Sequence, residues 1–342
     1  MLFRSGQERW RWFILTLQAI LVPITASRTS NLLRAIETLF GVCIAQSRYY
    51  TFMASVKLPW ARLWELLWRA IPTPLTDGRL LVALDDSINA KTGRKVFACQ
   101  RSFDHAAKTN QSQYPWAQTI VTVGLLKLIH GRWSCVPLAF AFYLRRQTLS
   151  ERCIRVRRQA LVFQTKFAQA VALIGRLATV FAEVPILVVT DSWFGNNWLL
   201  QPLRAFVGPR AQLLSRLRSN AVLFDRAPAT PGRCGRPRKY GARLGSVAQL
   251  AAALRKDARP YTLHLYGGMR EVLAAERLVM LKTLRCQVRV VWVFRRTQWI
   301  ALVTTDLTLS VEQIIEYYAA RWKIEAGFRE IKIGRASCRE RV

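Results

Sequence analysis

The chain has 342 residues, 52 of them Lys or Arg against 20 Asp or Glu, for a formal net charge of +32. That excess predicts a polyanionic partner, either nucleic acid or an anionic membrane surface. A membrane is the weaker choice: the most apolar early stretch, Trp12 to Thr25, is too short to span, contains Gln18 and Pro23, and lacks the usual cleavage-site layout of a signal peptide.

Residues 1–78 are rich in Leu, Ala, Trp and Arg at helical spacing, as at Leu32, Leu33, Ile36, Leu39 and Phe40. Pro59, Pro72 and Pro74 interrupt the pattern, so the stretch predicts a small helical domain, with TPLTDG at 73–78 as a linker. From Arg79 the expected order is strand 80–86, strand 94–100, strand 117–129, strand 133–142, helix 151–181, strand 185–190 and helix 193–206. Residues 79–207 therefore predict the first part of an α/β core.

Acids are sparse in this region, and some of them end strongly apolar runs: RLLVALDDS ends in Asp85-Asp86 and VPILVVTDSW in Asp191. Each run has the continuous Leu/Ile/Val character of a strand buried on both faces. A carboxylate at the end of such a strand is costly unless its charge is compensated, commonly by a divalent cation. The competing reading is an Asp that starts a turn or caps the following helix. Asp85 and Asp86 alternate along an extended strand, so only one of them can face a given site.

Residues 208–304 have a different texture and predict a β-rich insertion. Its loop at 226–241 contains Gly235-Arg236-Pro237-Arg238, where Arg236 and Arg238 present two guanidiniums on an extended backbone, suited to phosphates or a narrow A·T minor groove. Trp299 precedes the apolar run IALVTT, and Trp292 is a competing aromatic nearby. Residues 305–332 return to the core with a long helix expected at 311–332. It carries Tyr318, Arg321, Glu325 and Lys332 in the spacing Y-x2-R-x3-E-x6-K. At about 100° per residue the last three fall roughly 60°, 20° and 40° to one side of Tyr318, a single narrow stripe. The bland alternative is an amphipathic helix with an Arg321–Glu325 pair one turn apart.

That spacing, with RWKIE, GFREIK, DSWFGNN and LLSRLRSNAVLF around it, resembles the bacterial insertion-sequence transposases of the Asp-Asp-Glu type that carry a Tyr-Arg-Glu-Lys signature. The resemblance extends over most of residues 79–332. It implies a ribonuclease H-like core with a β-rich insertion and an N-terminal helical domain that binds the transposon end. It implies Asp86, Asp191 and Glu325 as catalytic carboxylates holding two Mg²⁺ ions, with Mn²⁺ able to substitute. Asp86 is preferred because the family has Asp followed by a small hydroxyl residue, here Ser87, and Asp85 stands as the alternative. Arg321 and Lys332 are implied at phosphates, Tyr318 at the DNA backbone, and Trp299 against a base flipped from the transposon end. The implied activity is cleavage of insertion-sequence ends and strand transfer into target DNA, by a homodimer acting on DNA in the bacterial cytoplasm at the nucleoid.

A second class of function fits the same residues: a catalytically inactive or truncated transposase-derived DNA-binding protein. A basic RNA-binding structural protein would explain the charge but not the placement of the acids. The seven cysteines form no CxxC pair and there are three histidines, so zinc is not expected and a reducing compartment is. IGRASCRERV at 333–342 matches a one-frame translation of a widely used sequencing adapter. It is expected to be non-native, with the true C-terminal region missing.

Overall fold

A computed structural model describes residues 2–22, 29–55, 60–93, 96–104, 107, 109–152, 154–156, 159–228, 238–296 and 298–333. The chain divides into two compact units, Met1–Leu63 with Arg329–Val342, and Trp64–Phe328. The adapter-like stretch from residue 334 onward lies outside the described residues.

The first unit contains α1 (Leu2–Leu21), α2 (Thr29–Phe40), α3 (Gln46–Met53) and the start of α4 (Trp60–Ala70). Leu32 and Ile36, one turn apart on α2, share an apolar cluster with Phe13, Leu15, Tyr49 and Phe52. The Thr16 and Tyr49 hydroxyls meet at 2.9 Å inside it. The remainder of α4 belongs to the second unit, where Trp68 is buried and its Nε1 donates to the Leu138 carbonyl at 2.8 Å. Residues 73–78, expected as a linker, are tied down instead. Asp77 accepts from the Tyr317 hydroxyl and from Gln313 Nε2, and Arg79 pairs with Asp306 at 3.0 Å.

The second unit opens with β1 (Leu80–Ala90), β2 (Cys99–Arg101), β3 (Trp116–Ile129) and β4 (Arg132–Tyr143). There follow α5 (Arg146–Arg152), the short pair β5 and β6 (Arg155–Val156 and Gln159–Ala160), α6 (Lys166–Val180), β7 (Ile186–Thr190) and α7 (Asn197–Val207). Of the expected strand at 94–100, residues 94 and 95 lie outside the described residues and the strand seen is β2. The expected helix at 151–181 is divided, because Thr165 caps a fresh start by accepting from the Ala168 N–H at 3.1 Å. The arginine-rich sequence before it offers no apolar stripe to continue a helix.

Next come β8 (Ala211–Leu217), β9 (Val222–Arg226), β10 (Tyr240–Ser246), α8 (Val247–Leu254), β11 (Arg259–Leu265), β12 (Gly268–Leu281), β13 (Cys286–Arg295) and β14 (Gln298–Thr304). The chain closes with α9 (Val311–Ala320) and α10 (Trp322–Ile333). Among the described residues twelve strands form one sheet in the order β10-β9-β12-β13-β14-β8-β7-β1-β3-β2, with β4 on β3 and β11 on β12. In its middle β1, β7 and β8 run parallel and β3 runs antiparallel to β1. This is a mixed α/β domain consistent with a ribonuclease H-like architecture. The strands expected as an insertion continue the same sheet, since β8, within that stretch, pairs with β7 and β14 pairs with β8.

The parallel strands are apolar on both sides because both sides are covered. Leu80, Val82, Leu84 and Val188 pack with residues of α6, α7 and α8 in one cluster. Leu81, Ala83, Leu187 and Val189 pack with residues of α9 in the other. Each fully buried Leu or Val contributes about 1.5–3 kcal/mol, so this two-faced burial fixes β1 and β7 firmly. Among the described residues no helix is long and apolar enough to cross a membrane.

A candidate acid and arginine site

The alternation of β1 separates its two terminal acids. Asp86 continues the Leu80–Val82–Leu84 row towards α6, whose first residue, Lys166, pairs with it at 2.6 Å. The Lys166 ammonium also lies over the Tyr143 and Trp193 rings, 5.4 and 5.3 Å from their centroids. Asp85 continues the Leu81–Ala83 row, the face on which α9 packs. Its Oδ2 accepts from Arg321 Nη1 at 3.1 Å, and its Oδ1 accepts from the Asp86 N–H at 2.9 Å. The sequence preference for Asp86 thus meets a strand that gives Asp86 to Lys166 and Asp85 to the signature residues.

Arg321 sits at a break. The expected single helix at 311–332 is two helices, α9 and α10, with Arg321 between them. Its dihedrals stay helical (φ −52, ψ −35), but the local hydrogen bonds shorten to three-residue steps: Arg321 N–H to the Tyr318 carbonyl at 3.2 Å and Ile324 N–H to the Arg321 carbonyl at 3.0 Å. The side chain is 7% exposed and bridges two acids, with Nη1 on Asp85 and Nη2 on Glu325 Oε1 at 2.9 Å. Its Nε is buried without a partner. The pair one turn apart, the bland alternative for this helix, is therefore present and extended to a third residue. Lys332 is on α10, but its side chain lies outside the described residues.

Asp191 follows β7 directly and starts a turn. Its Oδ1 accepts from the Trp193 N–H at 3.0 Å and from the Phe194 N–H at 3.1 Å, and Asn196 then caps α7 through the Trp198 N–H. Its carbonyl accepts from Ser215 Oγ on β8 at 2.7 Å. Gly195 is needed for this approach, because a Cβ there would lie 2.0 Å from Ser215 Oγ.

These groups act on one another electrically. The Asp85 carboxyl is pushed up to about 7, first by burial and then by the charges of Asp191 and Glu325, against the opposing pull of Arg321 and of the Asp86 N–H. The Tyr318 phenol is also raised, chiefly by burial, while Arg321 and Arg216 lower it. Asp85, Asp191 and Glu325 therefore share one electrostatic neighbourhood. By chemistry they are hard oxygen donors suited to Mg²⁺. Among the described residues no group of three or more His, Cys, Asp or Glu is gathered to hold an ion.

Arg321 also lines a cavity of ≈ 200 Å³ with Arg216, Arg295, Trp299, Tyr318 and Trp322, and among the described residues no carboxylate lines it. The cation and aromatic content suits a nucleotide phosphate and base. Arg216 and Arg295 were not singled out in the sequence; their strand positions on β8 and β13 were the available signal. Trp299 is half-buried at this cavity and packs against the same core cluster as Trp292, which is fully buried and donates from Nε1 to the Val247 carbonyl at 3.0 Å. Arg238 is exposed and does not line the cavity, and Arg236 lies outside the described residues.

A family model described as "DDE superfamily endonuclease" matches residues 4–270. The match includes β1 and β7 and ends before α9 and α10. No curated protein matches the chain.

Proposed function

The chain belongs to the DDE superfamily of endonucleases, and from that premise we propose that it is a transposase-derived DNA-binding protein whose acid cluster, in this form, is not arranged for metal-dependent cleavage. The observation that carries this reading is Arg321. Its guanidinium lies between Asp85 and Glu325, and no three acids are gathered for an ion among the described residues. The net charge of +32 and the cavity lined by Arg216, Arg295 and Arg321 support binding to a polyanion that also carries aromatic bases.

The second reading is the active enzyme of the Tyr-Arg-Glu-Lys group: Mg²⁺-dependent cleavage of insertion-sequence ends, then strand transfer, by a homodimer. One observation favours it. Asp85 and Glu325, from distant parts of the chain, meet on the one Arg321 guanidinium, and the Asp191 and Glu325 charges both add to the upward shift of the Asp85 carboxyl. Asp85 takes the position that the sequence preference gave to Asp86.

Two measurements separate the readings. Fluorescence anisotropy on labelled duplex DNA tests binding, and nicking of supercoiled plasmid in Mg²⁺ or Mn²⁺ tests cleavage. Binding without nicking supports the first reading; metal-dependent nicking replaces it with the second. Absence of DNA binding overturns both.

A further inference from the structure

We propose that the β2–β3–β4 end of the sheet carries a stacking platform for single-stranded nucleic acid, built from the exposed rings of Phe97, Phe103, Tyr114 and Phe140 with the guanidiniums of Arg101 and Arg152. The platform is separate from the arginine-lined cavity and does not rest on the duplex-binding reading.

Strand register brings these groups together. Side chains directly opposite in an antiparallel pair share a face, and every second residue returns to it. Phe140 lies opposite Thr122, Phe142 opposite Ile120 and Arg101 opposite Trp116, on alternate residues of β3. Phe97, just before β2, meets the Phe142 ring. Phe142 thus holds Phe97 and Phe140 edge to face, with centroids 5.7 and 5.5 Å away. Phe103 and Tyr114 pair in the same manner at 5.2 Å, beside Arg101. Edge contacts of this kind fix a ring without covering both its faces. The four outer rings are between 41 and 55% exposed. Large rings grouped at the surface mark an interaction site.

The surrounding charge selects the partner. Residues 91–152 hold ten Lys or Arg against two acids, Asp104 and Glu151. A second copy of this basic chain would be repelled there, and an anionic polymer attracted. Arg152 lies over the Trp116 ring at 4.8 Å and donates from Nη1 to the Cys99 carbonyl at 3.1 Å. Arg101 donates from Nη1 to the Tyr114 carbonyl at 3.1 Å. Both guanidiniums are exposed and held in place, with further N–H donors to offer phosphate oxygens. A duplex encloses the faces of its bases, whereas a single strand leaves them open to stack on such rings.

The test is fluorescence anisotropy of the full chain on labelled probes of equal length: a thymidine single strand, the same strand with abasic sites, and a duplex. The unmodified protein is expected to bind the thymidine strand at least about fivefold more tightly than the abasic one, as for one stacked base. The double variant Phe97→Leu with Phe140→Leu keeps apolar side chains at both positions. It is expected to lose at least about fivefold on the thymidine strand and to stay within about twofold of the parent on the abasic strand and the duplex. Arg101→Gln is expected to lower the single-strand slope of log K against log salt by about 0.7. A uridine strand run in parallel assigns the platform to RNA if it binds more tightly and to DNA if it does not; both results keep it. Equal binding of thymidine and abasic strands by the unmodified protein overturns the proposal, whether or not the double variant folds. An equal loss by the double variant on all three probes overturns it as well. Ring-dependent single-strand binding without duplex binding removes the duplex reading and keeps the platform.

Discussion

Asp85 on β1 and Arg321 at the α9–α10 joint meet at 3.1 Å although they are 236 residues apart in sequence. The contact ties the centre of the sheet to the joint between α9 and α10, and it joins Asp85, not Asp86, to Arg321. It also sets the electrostatic state of the site, because Arg321 is the one group among the causes of the Asp85 shift that pulls its carboxyl down by charge.

That shift makes a stability prediction. The Asp85 carboxyl is pushed up to about 7, by burial first, from roughly 3.9 in an unfolded chain. Between those values the native protein holds a proton that the unfolded chain has released. Stability from this group is therefore complete below the unfolded value and is lost as pH rises through about 7. Asp85→Asn, neutral throughout, is expected to be more stable than the unmodified protein at about pH 8, by roughly 1–3 kcal/mol after the lost Arg321 contact is allowed for, and nearly equal at about pH 5. Thermal unfolding at both pH values checks it; a pH-independent difference would mean that Asp85 is ionised throughout.

A second prediction concerns the two faces of β1. Lys166 holds Asp86 on the α6 side, away from Arg321 and Glu325. If plasmid nicking is observed, Asp85→Ala, Asp191→Ala and Glu325→Ala should each lower it by on the order of a thousandfold or more, and their losses should not add. Asp86→Ala should stay within about tenfold, as a neighbour that shapes the strand end. Loss of nicking in Asp86→Ala with normal activity in Asp85→Ala would reverse the assignment.

The two candidate tryptophans should separate cleanly. Trp292→Ala removes a fully buried side chain and its bond to the Val247 carbonyl, and is expected to cost about 3–5 kcal/mol of stability. Trp299→Ala removes a half-buried ring that lines the cavity and also packs against the Trp292 cluster, so it should cost roughly 2 kcal/mol, less than Trp292→Ala, while weakening DNA binding. Chemical denaturation beside anisotropy distinguishes them. A stability loss in Trp299→Ala as large as that in Trp292→Ala would make it a core residue.

Much of the fold was legible because its central strands are apolar on both faces. LLVAL at 80–84 and ILVVT at 186–190 predicted buried strands, and both lie in the parallel centre of the sheet. The same uniformity hid the choice between Asp85 and Asp86: with no polar face along β1, nothing in the sequence says which side α9 covers. The break at Arg321 was hidden for another reason. A tightened turn keeps the same residues at nearly the same spacing, so the pattern through Tyr318 and Glu325 reads as an unbroken helix. Helix 151–181 was overextended because the Thr165 cap is a single residue beside an arginine-rich stretch. The cavity was least legible of all, since Arg216, Arg295 and Arg321 come from three elements that only the sheet order brings together.

The cavity arginines give the last prediction. Binding to duplex DNA should weaken steeply with salt, because each Lys or Arg that meets a phosphate releases a condensed counterion and adds roughly −0.9 to the slope of log K against log salt. Arg216 and Arg295 are exposed on strands β8 and β13, so their removal leaves the buried core untouched. Arg216→Ala and Arg295→Ala should each reduce that slope by about one, and the double variant by about two, if each neutralises one phosphate. Their effect should be similar across DNA sequences, because phosphate contacts position the duplex without reading bases. Trp299→Ala should behave differently: affinity falls while the slope is kept, since stacking releases no counterion. Anisotropy between about 50 and about 200 mM salt, where the effect is large, separates the two classes. An unchanged slope in the double arginine variant would remove the cavity from the DNA path, and a nearly flat slope in the unmodified protein would remove DNA binding itself.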